Sequence, residues 1–207
     1  MANQNYHHEN LKSELIRKGL LILDKEGYEN FSLRKVAKSC NVSQTAPYRH
    51  FKNKDELIAA IMEEAMRSFY DSLNEAALKY PDDHSKQLKE MGIAYIRFFS
   101  ENPEYLHLLF SSNIFSKIKF TCDKSESSDN CSNEHYKNRD PFAVFYRAVE
   151  NYAASANNYM GQDELILYCW GLVHGISVLS ANKENSPFNA NFLDLAEKII
   201  FNEKFLK

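Results

Sequence analysis

Apolar side chains recur along this chain at intervals of three and four, and no stretch shows the period-two alternation of a half-buried strand. The spacing predicts an all-helical protein. Leu11, Leu15 and Ile22, flanked by Ile16, Leu20 and Leu23, stripe a first helix that Gly27 closes as its C-terminal cap. Leu33, Val36, Ala37 and Cys40 stripe a second, with Ser32 placed to cap it and Arg34, Lys35 and Lys38 on the opposite face. Asn41 tolerates the left-handed backbone of a tight turn, and Ser43 is then placed to cap a short third helix. Asn53 followed by Glu56 has capping-box spacing and opens a fourth through Ile58, Ile61, Met62, Ala65 and Phe69. It meets no breaker before Tyr80 and Pro81, a span of roughly 40 Å.

Leu88, Met91, Gly92, Tyr95, Phe98 and Phe99 mark a fifth helix, ended by Asn102-Pro103, which in turn starts a sixth through Leu106, Leu109 and Phe110. Residues 121–140, rich in Ser, Asn, Asp and Lys, have the composition of a surface loop. Phe142, Phe145, Tyr146, Val149 and Tyr152 stripe a seventh helix, residues 162 to about 181 an eighth, and Phe192, Leu195, Ala196 and Ile199 a ninth.

Residues 32–51 thus read as a helix-turn-helix. Its second helix is almost all contact chemistry: Gln44, Thr45, Tyr48, Arg49 and His50 supply amide, hydroxyl, phenol, guanidinium and imidazole groups, the kinds that reach base edges and phosphates in a major groove. Charge changes the picture in the same direction. The net value is −3, but residues 1–60 hold ten Lys and Arg against seven Asp and Glu, while the remainder is acidic. His7 and His8 adjoin the first helix on the basic side.

At 44% hydrophobic and 26% charged, the 207 residues fall among globular proteins. No uninterrupted apolar run reaches the length of a membrane span and the first residues lack the order of a signal peptide, so a cytoplasmic location with no membrane partner is expected. Of the four cysteines, Cys40 and Cys169 lie on apolar stripes as small core residues, and Cys122 and Cys131 with His135 do not match a zinc spacing. No metal site or cofactor is expected. There is no Gly-rich phosphate loop, no His-x-x-x-His pair and no nucleophile elbow, so no catalytic residues are assigned.

The segment Val42-Ser43-Gln44-Thr45-Ala46-Pro47-Tyr48-Arg49-His50-Phe51, followed by Lys54-Asp55-Glu56-Leu57, resembles the DNA-binding domain of the TetR family of transcriptional regulators. Trp170-Gly171-Leu172-Val173-His174-Gly175 is similar to the Trp-His-Gly type of C-terminal domain found in one branch of that family. The resemblance implies a three-helix DNA-binding domain over 9–69 and a helical ligand-binding and dimerisation domain over 70–207, about nine helices in all. It further implies a homodimer joined through its last two helices, each half reading one arm of a palindromic operator in double-stranded DNA. Carried over by position, Ser43, Gln44, Thr45, Tyr48 and Arg49 line the groove, with His50 and Lys54 at phosphates. Pro47 departs from the commoner family pattern and is expected to remove one helical hydrogen bond and tighten the turn.

The function expected is that of a repressor released from its operator by a small apolar or aromatic effector. Tyr95, Phe99, Phe110, Phe145, Tyr152 and Trp170 are the candidate lining, with His107 and His174 as polar anchors. Any one of these aromatics is equally a bundle-core residue. The rival class is a helical enzyme or small-molecule-binding protein whose helix-turn-helix does not serve operator binding.

Overall fold

In the computed structural model, residues 4–111, 140–155, 160–181 and 192–200 are described. Helices stand where the apolar stripes put them: α1 (Gln4–Asn30), α2 (Leu33–Ser39), α3 (Lys54–Leu78), α4 (His84–Glu101), α5 (Pro103–Leu106), α6 (Pro141–Ser155), α7 (Gln162–Ala181) and α8 (Phe192–Ile200), with no strand among the described residues. The chain is all-α. A 3₁₀ turn over Ala46–Arg49 occupies the place of the third expected helix, and a π turn over His107–Ser111 extends α5. The loop expected over 121–140, with Cys122, Cys131 and His135, lies outside the described residues save for Asp140, as do the side chains of His7 and His8.

The caps form largely as their residue types dictate. Gly27, at φ 72°, kinks α1 where a cap was expected, and the helix resumes for three residues. Ser32 Oγ accepts from the Lys35 amide, Asn53 Oδ1 from the Glu56 amide and Asp83 Oδ1 from the Lys86 amide. Asn41 takes φ 55°, as the turn requires.

The described residues fall into two units: those before residue 66 with 107–111, and the rest. In the first, Leu15, Leu23, Phe31, Val36, Ala37, Phe51, Leu57, Ile58 and Ile61 form the core, each at most 4% exposed. Gly19 lets α1 lie close to α3, since a Cβ there would stand 2.9 Å from Ile61 Cδ1. In the second, α4 is the central helix, packed against α6, α7 and α8. Phe69, Tyr95, Phe98 and Phe99 stack about one another with ring centroids 4.8 to 5.3 Å apart.

Against the expectation of no membrane-length apolar segment, α7 is long and apolar enough by composition to cross a bilayer, with a mean hydropathy of 1.4. The expectation rested on unbroken runs, whereas Gly, Ser, Tyr and His within α7 interrupt the run yet leave its average apolar. A core helix meets the same criterion, and Leu165, Cys169, Val173, Ser177 and Ser180 do face inward along one side of α7.

Candidate nucleic-acid interface

Pro47 decides the local form of the recognition segment. Without an N–H it cannot donate to the carbonyl of Ser43, so that carbonyl instead takes the Ala46 amide at 3.0 Å. Tyr48 N to Thr45 O and His50 N to Pro47 O continue the tighter pattern, and Phe51 N returns to the four-residue spacing with Pro47 O. Ser43 is therefore not a side-chain cap, because the backbone turns before its hydroxyl can reach an amide; its Oγ lies 3.1 Å from Thr45 Oγ1.

The segment has two faces. Pro47 and Phe51 are buried, and Lys12 Nζ sits 6.0 Å from the Phe51 ring centroid. Ser43, Gln44, Thr45, Tyr48 and Arg49 all point to solvent, Tyr48 at 51% exposure, and His50 is half-buried beside Phe51. An exposed Tyr and Arg on an apolar base form a surface with much contact area and little need of partners from its own chain.

Lys54 has structural neighbours that the sequence did not suggest. Its ammonium lies 4.0 Å from the centre of the Tyr28 ring and donates to the Tyr28 carbonyl at 3.2 Å. Tyr28 Oη in turn donates to Asp55 Oδ1 at 2.8 Å, and this bond with partial burial raises the phenol pKa. The end of α1 and the start of α3 are thereby clasped, with Lys54 held at the α3 N-terminus, where free amides favour an anion. Lys35 pairs with Glu26 near the same corner.

The candidate effector residues divide. Tyr95, Phe99, Phe145, Tyr152, Trp170 and His174 fall in the second unit; His107 and Phe110 fall in the first. His107 Nδ1 is 2.8 Å from Asp24 Oδ1 of α1, with its ring about half exposed. Tyr95 Oη and His174 Nδ1 are 3.0 Å apart, and the Trp170 side chain also bonds the phenol. The indole N–H only donates, so the phenol oxygen accepts from Trp170, while the imidazole tautomer sets the direction of the Tyr95–His174 bond. Burial holds the imidazole pKa below its ordinary value and pushes the phenol's well up. Phe99 and Tyr152 are fully packed, whereas Tyr95 and Phe145 line a cavity with Leu88, Met91, Cys169 and Val173. Its volume is about 30 Å³, and burial pushes the Cys169 thiol pKa up to about 12.

Residues 15–61 match the family model for bacterial regulatory proteins of the tetR family. Residues 15–61 therefore form a tetR-type DNA-binding domain. An HTH-type transcriptional regulator of Staphylococcus aureus is 26% identical over 100 residues, 48% of this chain and 52% of that protein. The chain thus spans about half the length of the curated relatives it matches. Two solved structures share the fold. A tetR-family regulatory protein from Rhodococcus RHA1 superposes with a TM-score of 0.64 at 18% identity, covering 91% of this chain and 92% of that one. The fatty acid degradation regulator FadR from Bacillus halodurans superposes at 0.66 with 14% identity, covering 91% and 92%.

Proposed function

We propose that this chain, which carries a tetR-type domain over residues 15–61, is a sequence-specific DNA-binding transcriptional regulator of the tetR family and not an enzyme, and that it represses by occupying a palindromic operator as a homodimer. The observation that carries the reading is the two-sided segment 43–51. Pro47 and Phe51 anchor it in the core, while Gln44, Thr45, Tyr48 and Arg49 face outward together. Arg49 suits a guanine edge in the major groove, and His50 and Lys54 suit flanking phosphates.

Dimerisation has its support on α7. Leu167, Tyr168, Val178 and Leu179 are exposed at 72%, 45%, 39% and 47%, on the same face as Gly171 and Gly175. A Cβ at either glycine would meet nothing within 4 Å, so a helix from a second copy can approach closely there. With α8 beside it, this face supports a four-helix interface across a two-fold axis.

An apolar effector is supported by the cavity beside Tyr95 and by the fatty acid role in the description of the Bacillus halodurans neighbour. At about 30 Å³ the cavity holds roughly one water, so an acyl chain enters only by parting its walls. Leu73 of α3 is one of those walls, and α3 begins at Lys54. Ligand entry then moves the helix that carries the phosphate contact, and two recognition segments set for grooves about 34 Å apart lose their match.

Selection from a random duplex library tests the reading. The expected product is an inverted repeat whose half-sites lie one helical turn apart or a multiple of it, and enrichment of no duplex would favour the rival small-molecule-binding class.

A further inference from the structure

A second open volume in the second unit shares no lining residue with the aromatic cavity. A cleft of about 320 Å³ runs between the last turns of α3, the segment around Pro81 and α6. Its polar lining is Tyr70, Asn74, Gln87, Asp140, Arg147 and Asn151. From this lining we propose that the cleft is a binding site for a small zwitterion, its carboxylate against Arg147 and its ammonium against Asp140.

The charges are arranged for such a ligand. Asp140 and Arg147 both border the cleft and are separated by two turns of α6, roughly 10 Å along its axis. One Asp140 oxygen caps α6 by accepting from the Phe142 amide at 2.9 Å, which fixes the carboxylate and leaves the other oxygen to accept from a ligand. Arg147 is exposed and makes no ion pair with a described residue, so its planar fork is available to a carboxylate. Gln87 has its amide nitrogen on the Ala77 carbonyl at 2.7 Å, which turns its own oxygen into a fixed acceptor. Asn74 from α3 and Asn151 from α6 add a donor and an acceptor each on facing walls. The apolar lining, Ala77, Leu78, Pro81, Ala143, Val144 and Ala148, is suited to a methylene spacer. At about 30 Å³ per liquid water, the cleft has room for on the order of ten non-hydrogen atoms, the size of an amino acid. A diacid of the same length would set a carboxylate against Asp140, and a diamine an ammonium against Arg147.

This site goes beyond the regulator reading and is independent of it: the ligand touches α3 at Tyr70 and Asn74 whether or not α3 serves a DNA-binding unit. Calorimetric titration of the full chain tests it with four probes: 5-aminopentanoate, glutarate, 1,5-diaminopentane and decanoate. Saturable binding of 5-aminopentanoate is expected, at least tenfold tighter than of glutarate or the diamine. Arg147→Ala, a change at an exposed position, weakens it at least tenfold. Asp140→Asn, which keeps the helix cap, weakens 5-aminopentanoate while strengthening glutarate. Equal affinity in wild type and Arg147→Ala overturns the site, as does the absence of saturable binding of 5-aminopentanoate up to about 50 mM. Decanoate binding alone also overturns it and leaves the apolar-effector reading standing, and operator binding is measured separately, so either conclusion fails without the other.

Discussion

Lys54→Met removes one charge and keeps most of the stem, and its consequence for DNA binding can be worked from the clasp. The ammonium has three donors; one is taken by the Tyr28 carbonyl at 3.2 Å, and the ring 4.0 Å away holds the group in place. Two donors remain for a phosphate at the α3 N-terminus. Each phosphate contact contributes about 0.9 to the slope of log K against log salt, so a dimer that loses two contacts has a slope shallower by about 1.8. Between about 50 and 200 mM salt, wild type should then lose about tenfold more affinity than the variant does. The loss at fixed salt falls on all sequences alike, because a phosphate carries no base identity. The same change costs the first unit about 1–2 kcal/mol through the lost carbonyl bond and cation–π contact. Fluorescence anisotropy on operator and scrambled duplexes, with melting curves as the control for folding, measures both. Parallel salt plots for wild type and variant would refute the phosphate role and leave Lys54 as a strut between α1 and α3.

Gly19→Ala gains about 1 kcal/mol of helix propensity but sets a Cβ 2.9 Å from Ile61 Cδ1, and Ile61→Val alone costs about 1 kcal/mol. In urea unfolding the double variant should be more stable than the sum of the singles by at least about 1 kcal/mol, and additivity within 0.5 kcal/mol would deny the close approach. His174 is held neutral by burial, with its pKa lowered on folding, so the unfolded chain binds more protons just below the ordinary imidazole value. Its contribution is full above pH about 6.5 and is lost as pH falls from there through the folded pKa; His174→Asn should flatten melting temperature against pH in that window, and an unchanged profile would count against it. Leu167→Lys, at a side chain 72% exposed, should leave the monomer folded and turn the dimer into monomer in sedimentation, and an unaltered dimer would move the interface off α7.

Local signals carried the fold well. Helix periodicity, the Ser32 and Asn53 caps and the left-handed Asn41 all depend on residues within one or two turns of each other, and each appears where the sequence puts it. Even the tightening at Pro47 follows from a missing N–H, although its extent does not: one lost bond converts the whole expected helix into a 3₁₀ turn. What the sequence hid were pairings between distant residues. His107 sits on a half-apolar helix and reads as a pocket anchor, yet its partner is Asp24, 83 positions earlier. Lys54 and Tyr28 meet across 26 positions, and Tyr95 and His174 across 79. Aromatic content suggested a cavity, but rings that stack at about 5 Å fill their own space, and the open volume lies beside Asn74 and Arg147. Polar residues at helical spacing look like a solvated face until a second helix supplies the opposite wall.

Arg49→Ala on the duplex obtained by selection tests the central claim most directly. The guanidinium is exposed on the outward face of the segment that Pro47 anchors, and its removal should cost about 1–3 kcal/mol of operator affinity and relax base preference at one position in each half-site. An affinity and a base preference both unchanged from wild type would contradict the claim that residues 43–50 read DNA.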